Sequence, residues 1–121
     1  MATEGITGLY LETRDYRASA AFWRSLGYHS VFESDHGSGQ FVHPAGGPYV
    51  FVAERDAGDT LAWHPILAVA DAGSFAPDPP LDVVRPFTAE HWGVAESLVR
   101  DPDGREVSLH APLPTDGSAP A

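Results

Sequence analysis

His91-Trp92-Gly93-Val94-Ala95-Glu96-Ser97-Leu98-Val99-Arg100-Asp101-Pro102-Asp103-Gly104-Arg105-Glu106-Val107-Ser108-Leu109-His110 is the stretch on which the reading of this chain turns. Two extended runs flank the tetrapeptide Asp101-Pro102-Asp103-Gly104. Proline presets the first angle of a turn and glycine accepts the positive φ of a tight hairpin, so the stretch predicts a β-hairpin with a polar tip.

Working outward, the chain repeats itself. Trp63-His64-Pro65-Ile66-Leu67-Ala68-Val69-Ala70-Asp71 lies on Thr7-Gly8-Leu9-Tyr10-Leu11-Glu12-Thr13-Arg14-Asp15 at a constant offset of 56, with Leu67 over Leu11 and Asp71 over Asp15. In the first copy, Gly5 to Thr13 reads as a strand and Asp15 as a helix N-cap. Ala18, Ala21, Phe22 and Leu26 recur at helical spacing, and Gly27 stops the helix. Tyr28 to Glu33, Gln40 to His43 and Tyr49 to Glu54 read as three further strands between glycine-bearing turns. In the second copy the helix is damaged. Ala72-Gly73-Ser74-Phe75-Ala76 runs into Pro77, Pro79 and Pro80, which remove donors and clash with a continuing helix. One turn or an irregular loop is expected there, followed by strands from Leu81 to Phe87, Gly93 to Arg100 and Glu106 to His110. The expectation is a single domain over 1–121, with module one at about 5–55, module two at about 60–110, and a mobile tail at 112–121.

Composition narrows the function classes. Seven basic against 17 acidic side chains give a net charge of −10. Nucleic acid and anionic membranes both require a positive footprint and are therefore poor partners, whereas a cationic ligand would be drawn in. Cysteine is absent, which removes disulfides, thiolate ligands and a cysteine nucleophile. No basic segment followed by an apolar run opens the sequence and no stretch approaches ~20 apolar residues, so the cytosol is the expected location. No Gly-x-Ser-x-Gly elbow is present, and Gly37-Ser38-Gly39 lacks the helix and lysine of a phosphate loop.

The closing hairpin, Thr13-Arg14-Asp15 at the end of the first strand, the Ala21-Phe22-Trp23 and Leu26-Gly27-Tyr28 runs and the internal repeat together resemble the vicinal oxygen chelate superfamily of glyoxalases, bleomycin-resistance proteins and extradiol dioxygenases. Phe22-Trp23, Asp59-Thr60-Leu61-Ala62-Trp63 and Trp92-Gly93 look most like the bleomycin-resistance branch, whose members sequester a drug without chemical change. The resemblance implies an α+β fold of two βαβββ modules, a cupped eight-stranded mixed sheet with the second helix short or degraded, and a homodimer.

Enzymes of this superfamily place metal ligands on the first and last strands of each module. Carried over, those positions are Gly8, Val50, His64 and Ser108, and of these only His64 has a side chain that can bind such a metal. A lone imidazole does not hold a divalent ion against water, so no metal or other cofactor is expected. Strand alternation offers one substitute set, Glu54, His64 and His110, around a divalent metal ion.

Alternation also puts Tyr10 and Glu12 on the face of Gly8, where the missing side chain would leave space. The resemblance places Phe32, Trp63 and Trp92 near the mouth of the cup or a dimer interface. Tyr10, Glu12, Phe32, Trp63, His64, Trp92, Ser108 and His110 are thus the candidate ligand-binding residues, with none assigned a catalytic role. Flat rings beside carboxylates suit a planar cationic or amine-bearing ligand. Three readings follow: a metal-free protein that sequesters an aromatic or cationic natural product, a metal-dependent lyase, isomerase or dioxygenase, and a ligand-free remnant with a structural role.

Overall fold

The computed structural model describes residues 3–113. Its elements are β1 (Ile6–Thr13), α1 (Tyr16–Ser25), β2 (His29–Glu33), β3 (Ser38–Val42), β4 (Tyr49–Glu54), β5 (Trp63–Ala68), a three-residue 3-10 turn (Ala72–Ser74), β6 (Asp82–Ala89), β7 (Val94–Arg100) and β8 (Glu106–Pro112). Eight strands of mixed direction and one helix make the α+β architecture that the sequence implies. Pro112, the first residue of the expected tail at 112–121, closes β8 instead, and residues 114–121 of that expected tail lie outside the described residues. Among the described residues no helix is long and apolar enough to cross a membrane.

The chain forms two compact units, one of Thr7–Pro65 and one of the remaining described residues, 3–6 and 66–113. The division falls inside β1 and β5 rather than in the loop between the two sequence repeats. Glu4 N–H donates to the Ala68 carbonyl and Ala68 N–H to Gly5, at 2.7 and 3.0 Å, which draws residues 3–6 into the later unit. Glu12 N–H donates to Ala62 at 2.9 Å, which holds the segment before β5 against β1.

In the Thr7–Pro65 unit the strand order is β2-β3-β4-β1, with β1 parallel to β4 and the other pairs antiparallel. Asp15 caps α1 through Oδ1, which accepts the Ala18 N–H at 3.2 Å. Gly27, at φ +95°, supplies the left-handed residue that ends the helix, its N–H returning to Arg24. The helix buries a different stripe from the one expected. Tyr16, Ala20 and Trp23 pack on the sheet, whereas Phe22 and Leu26 are more than half exposed. The spacing i, i+4, i+7 of those three gives one continuous face, and the larger rings at 16 and 23 reach the core that Ala20 floors. That core is Ala20, Phe41, Val50 and Val52, edged by Leu11 and Tyr28. Complete burial of Phe41 alone is worth roughly 1.5–3 kcal/mol.

The later unit repeats the order as β5-β8-β7-β6, with β5 parallel to β8 and the remaining pairs antiparallel. Asp71 caps as its repeat partner Asp15 does, accepting the Gly73 N–H, but the helix stops after Ala72–Ser74. The segment through Pro77, Pro79 and Pro80 that follows carries a cis Asp78–Pro79 peptide and forms no regular element before β6. Val69, Ala95, Val99, Leu109 and Ala111 form this unit's core, with Phe75 and Phe87 packed against it. The hairpin predicted from Asp-Pro-Asp-Gly is present. Asp101 Oδ1 accepts the N–H groups of Asp103 and Arg105 at 2.9 and 2.8 Å, and Gly104 takes φ +86°.

Candidate functional site

Strand register assigns the open face of the Thr7–Pro65 unit. Gly8, Tyr10 and Glu12 lie opposite Tyr49, Phe51 and Ala53, and Gln40 pairs with both Phe51 and Phe32. Phe32, Gln40, Phe51 and Tyr10 therefore share the face away from α1. The Tyr10 ring stacks between two others, 4.9 Å from His64 at 27° and 6.3 Å from Phe51 at 15°.

Glu12 sits at the end of this row, its side chain largely buried. Tyr10 Oη donates to Glu12 Oε2 at 2.8 Å, and the Ala62 N–H donates to Oε1 at 2.9 Å. Arg55 Nε lies 3.4 Å from Oε2, with its own side chain half exposed. The carboxylate is thus fixed in place by a phenol and a backbone amide, and it faces a cation.

Two expectations about this face are corrected. The space beside Gly8 is filled, because the Tyr49 ring lies over it and a Cβ there would fall 2.5 Å from the ring. Val50 is not a cup position: it is buried with Val52 under α1, on the opposite face from Gly8. Parity decides this, since the parallel register sets Tyr49 and Phe51 beside Gly8 and Tyr10, and so turns Val50, Val52 and Glu54 toward the helix. Glu54 accordingly accepts the Tyr16 N–H at the helix start, at 2.8 Å.

In the later unit, the β7–β8 register puts Glu96 opposite His110 and Leu98 opposite Ser108. His110 Nε2 donates to Glu96 Oε2 at 2.7 Å. Arg85 bridges Glu96 Oε1 at 2.8 Å and Glu90 at 2.6 Å. Burial pushes the Glu96 carboxyl up, but hydrogen bonds from His110 and Ser108 and the charges of His110 and Arg85 outweigh it and hold the group below the ordinary carboxylate range. This chain of paired charges occupies the face opposite Ser97 and Val99.

The three peripheral aromatics are surface groups. Phe32, Trp63 and Trp92 are each more than half exposed. Phe32 shares the Tyr10 face at the outer strand, Trp63 precedes His64 and so points to the opposite side of β5, and Trp92 meets His91 edge-on in the turn before β7. Tyr49, Phe51, Arg55, Arg85 and Glu96 were missing from the sequence-derived set. Counting outward from the Asp-Pro-Asp-Gly turn would have paired Glu96 with His110, whereas nothing local announces Arg85.

The substitute metal set does not assemble. Among the described residues no three His, Cys, Asp or Glu side chains form a group that could hold a metal ion. Glu54 is spent on the helix start and His110 on Glu96. Gly8 and Val50 offer no ligand atom, and Ser108 bonds Glu96, so the donor set does not fit the metal that the resemblance implies for the enzymes.

No protein-family model matches this sequence, and no curated protein matches it. Solved structures do. A glyoxalase/bleomycin resistance protein/dioxygenase superfamily member from Vibrio splendidus 12B01 superposes with a TM-score of 0.63 at 16% identity, over 86% of this chain and 96% of its own. The chain has the vicinal oxygen chelate fold. The same fold links it to the Mn(II)-bound glyoxalase from Novosphingobium aromaticivorans, at TM-score 0.62 and 15% identity over 91% of this chain and 39% of that one. A structure described as an NAD-dependent benzaldehyde dehydrogenase from Legionella pneumophila matches at 0.63 and 14%, over 86% and 96%. Such identities carry the vicinal oxygen chelate architecture across and nothing of substrate or chemistry.

Proposed function

We propose that this protein binds and sequesters a small planar molecule bearing an amine or other cationic group, without metal and without chemical change. The observation that carries the reading is the Tyr10 ring, held between His64 and Phe51, with the immobilised Glu12 carboxylate at its edge. A flat ligand gains dispersion and quadrupole contact from such a surface, and its cation competes with the exposed Arg55 for a carboxylate that is already ordered before the ligand arrives. The net charge of −10 favours the same class of ligand by raising its local concentration. A resistance or self-immunity role in the cytosol fits this activity, and exposed Phe22, Leu26 and Val31 support assembly as a homodimer. The metal-dependent alternative has less support, because of its ligand set Glu54 is engaged by the Tyr16 N–H and His110 by Glu96.

Thermal unfolding against a panel of aromatic antibiotics, bleomycin included, tests the proposal. A ligand should raise Tm, and Tyr10→Ala should weaken it about tenfold. Glu12→Gln should weaken a cationic ligand more than a neutral analogue of the same shape. Stoichiometric metal that is lost in His64→Ala, together with turnover, would overturn the reading.

A further inference from the structure

The later unit has a second concavity, on the side of its strands away from Glu96 and His110. It is an open hollow of about 300 Å³, with Ser97 and Val99 of β7 as part of its floor. Phe75 and Phe87 meet edge to face beside it, with centroids 5.9 Å apart at 84°. We propose that this hollow is a binding site for a small, uncharged, largely apolar molecule of one or two rings, separate from the Tyr10 surface.

Its origin lies in the repeat. In the Thr7–Pro65 unit, α1 lays Tyr16, Ala20 and Trp23 over the corresponding sheet face and fills it. In the later unit Asp71 starts the equivalent helix, which ends after three residues, and the proline segment skirts the space that further turns would occupy. The hollow is the volume of a helix that does not form.

Its chemistry selects the occupant. Among the described residues no charged side chain lines it, and the one polar side chain there is already satisfied, since the Ser97 hydroxyl donates to the Arg85 carbonyl at 2.8 Å. A charged ligand would lose its water and find no partner. A polypeptide is a poor fit as well, because Pro77, Pro80 and Pro86 on the walls present no N–H for an added strand. The volume is at the small end for ligand pockets, which matches one or two rings. Half-exposed Val83 stands at the rim.

Naphthalene is a suitable probe, read by methyl-resolved NMR of the full chain. The Leu81, Val83 and Val99 methyls should shift saturably at one equivalent, while those of Val50 and Val52 stay in place. Val83→Trp puts an indole into the mouth from a half-exposed position, so the fold survives, and it should lower naphthalene affinity at least tenfold. Failure to saturate up to the solubility limit would overturn the proposal. So would shifts that follow protein concentration instead of naphthalene, which give the surface to a second copy, or contacts in the free protein between these methyls and residues 114–121. None of these outcomes bears on Tyr10 or Glu12, so this site and the proposed function stand or fall separately.

Discussion

Gly8 and Tyr49 show how one absent side chain can be structural. Gly8→Ala gains about 0.4–1 kcal/mol from a stiffer unfolded chain, but the new methyl must push the Tyr49 ring aside, at a cost of about 1–3 kcal/mol. The steric cost exceeds the entropic gain, so the variant should be less stable in urea unfolding. In a Tyr49→Ala background the same substitution should become neutral or favourable, and the double-mutant cycle isolates the contact. The sequence makes the gap at Gly8 plain and hides its filler, because Tyr49 is brought there only by the parallel pairing of strands 41 residues apart. Glu96 gives the second residue-scale prediction. Its folded pKa is depressed, so its contribution to stability is complete above the ordinary carboxylate pKa and lost as pH falls through the lower folded value. Glu96→Gln should cost about 1–3 kcal/mol at neutral pH by underpairing His110 and Arg85, and should flatten the acid limb of the stability profile below about pH 4.5.

The repeated caps separate what a local signal does from what it can propagate. Asp15 and Asp71 each accept a backbone N–H, the first from the residue three on and the second from the residue two on, yet one starts ten helical residues and the other three. Asp15→Ala should therefore destabilise by about 1 kcal/mol, and Asp71→Ala by distinctly less, in thermal unfolding followed by circular dichroism. Both aspartates, and the prolines that end the second helix, are legible because capping and breaking depend on a few neighbouring residues. The buried face of α1 is less so. Phe22 and Leu26 are apolar and correctly spaced, and only the position of the sheet under Ala20 decides that Tyr16 and Trp23 face inward. Strand parity has the same character: Tyr49 to Glu54 is plainly a strand, but which of Val50 and Phe51 faces the helix depends on register with β1.

For the whole molecule, net charge is the property with the longest reach. If a cation is drawn by the net −10 field, raising salt from about 0.05 to about 0.5 M should weaken its binding several-fold, while naphthalene binding should hold or strengthen. Titration calorimetry at the two salt concentrations distinguishes them. The exchange of residues at the division between the units has a further consequence, for the order of events in synthesis. Glu4 and Gly5 bond Ala68, roughly sixty residues on, whereas Thr7–Pro65 holds within itself every partner of β2, β3 and β4. As the chain emerges from the ribosome, the Thr7–Pro65 stretch can condense while the residues just before it still wait. Glu4 and Gly5, synthesised before that stretch, find their partner only once Ala68, beyond it, has been made.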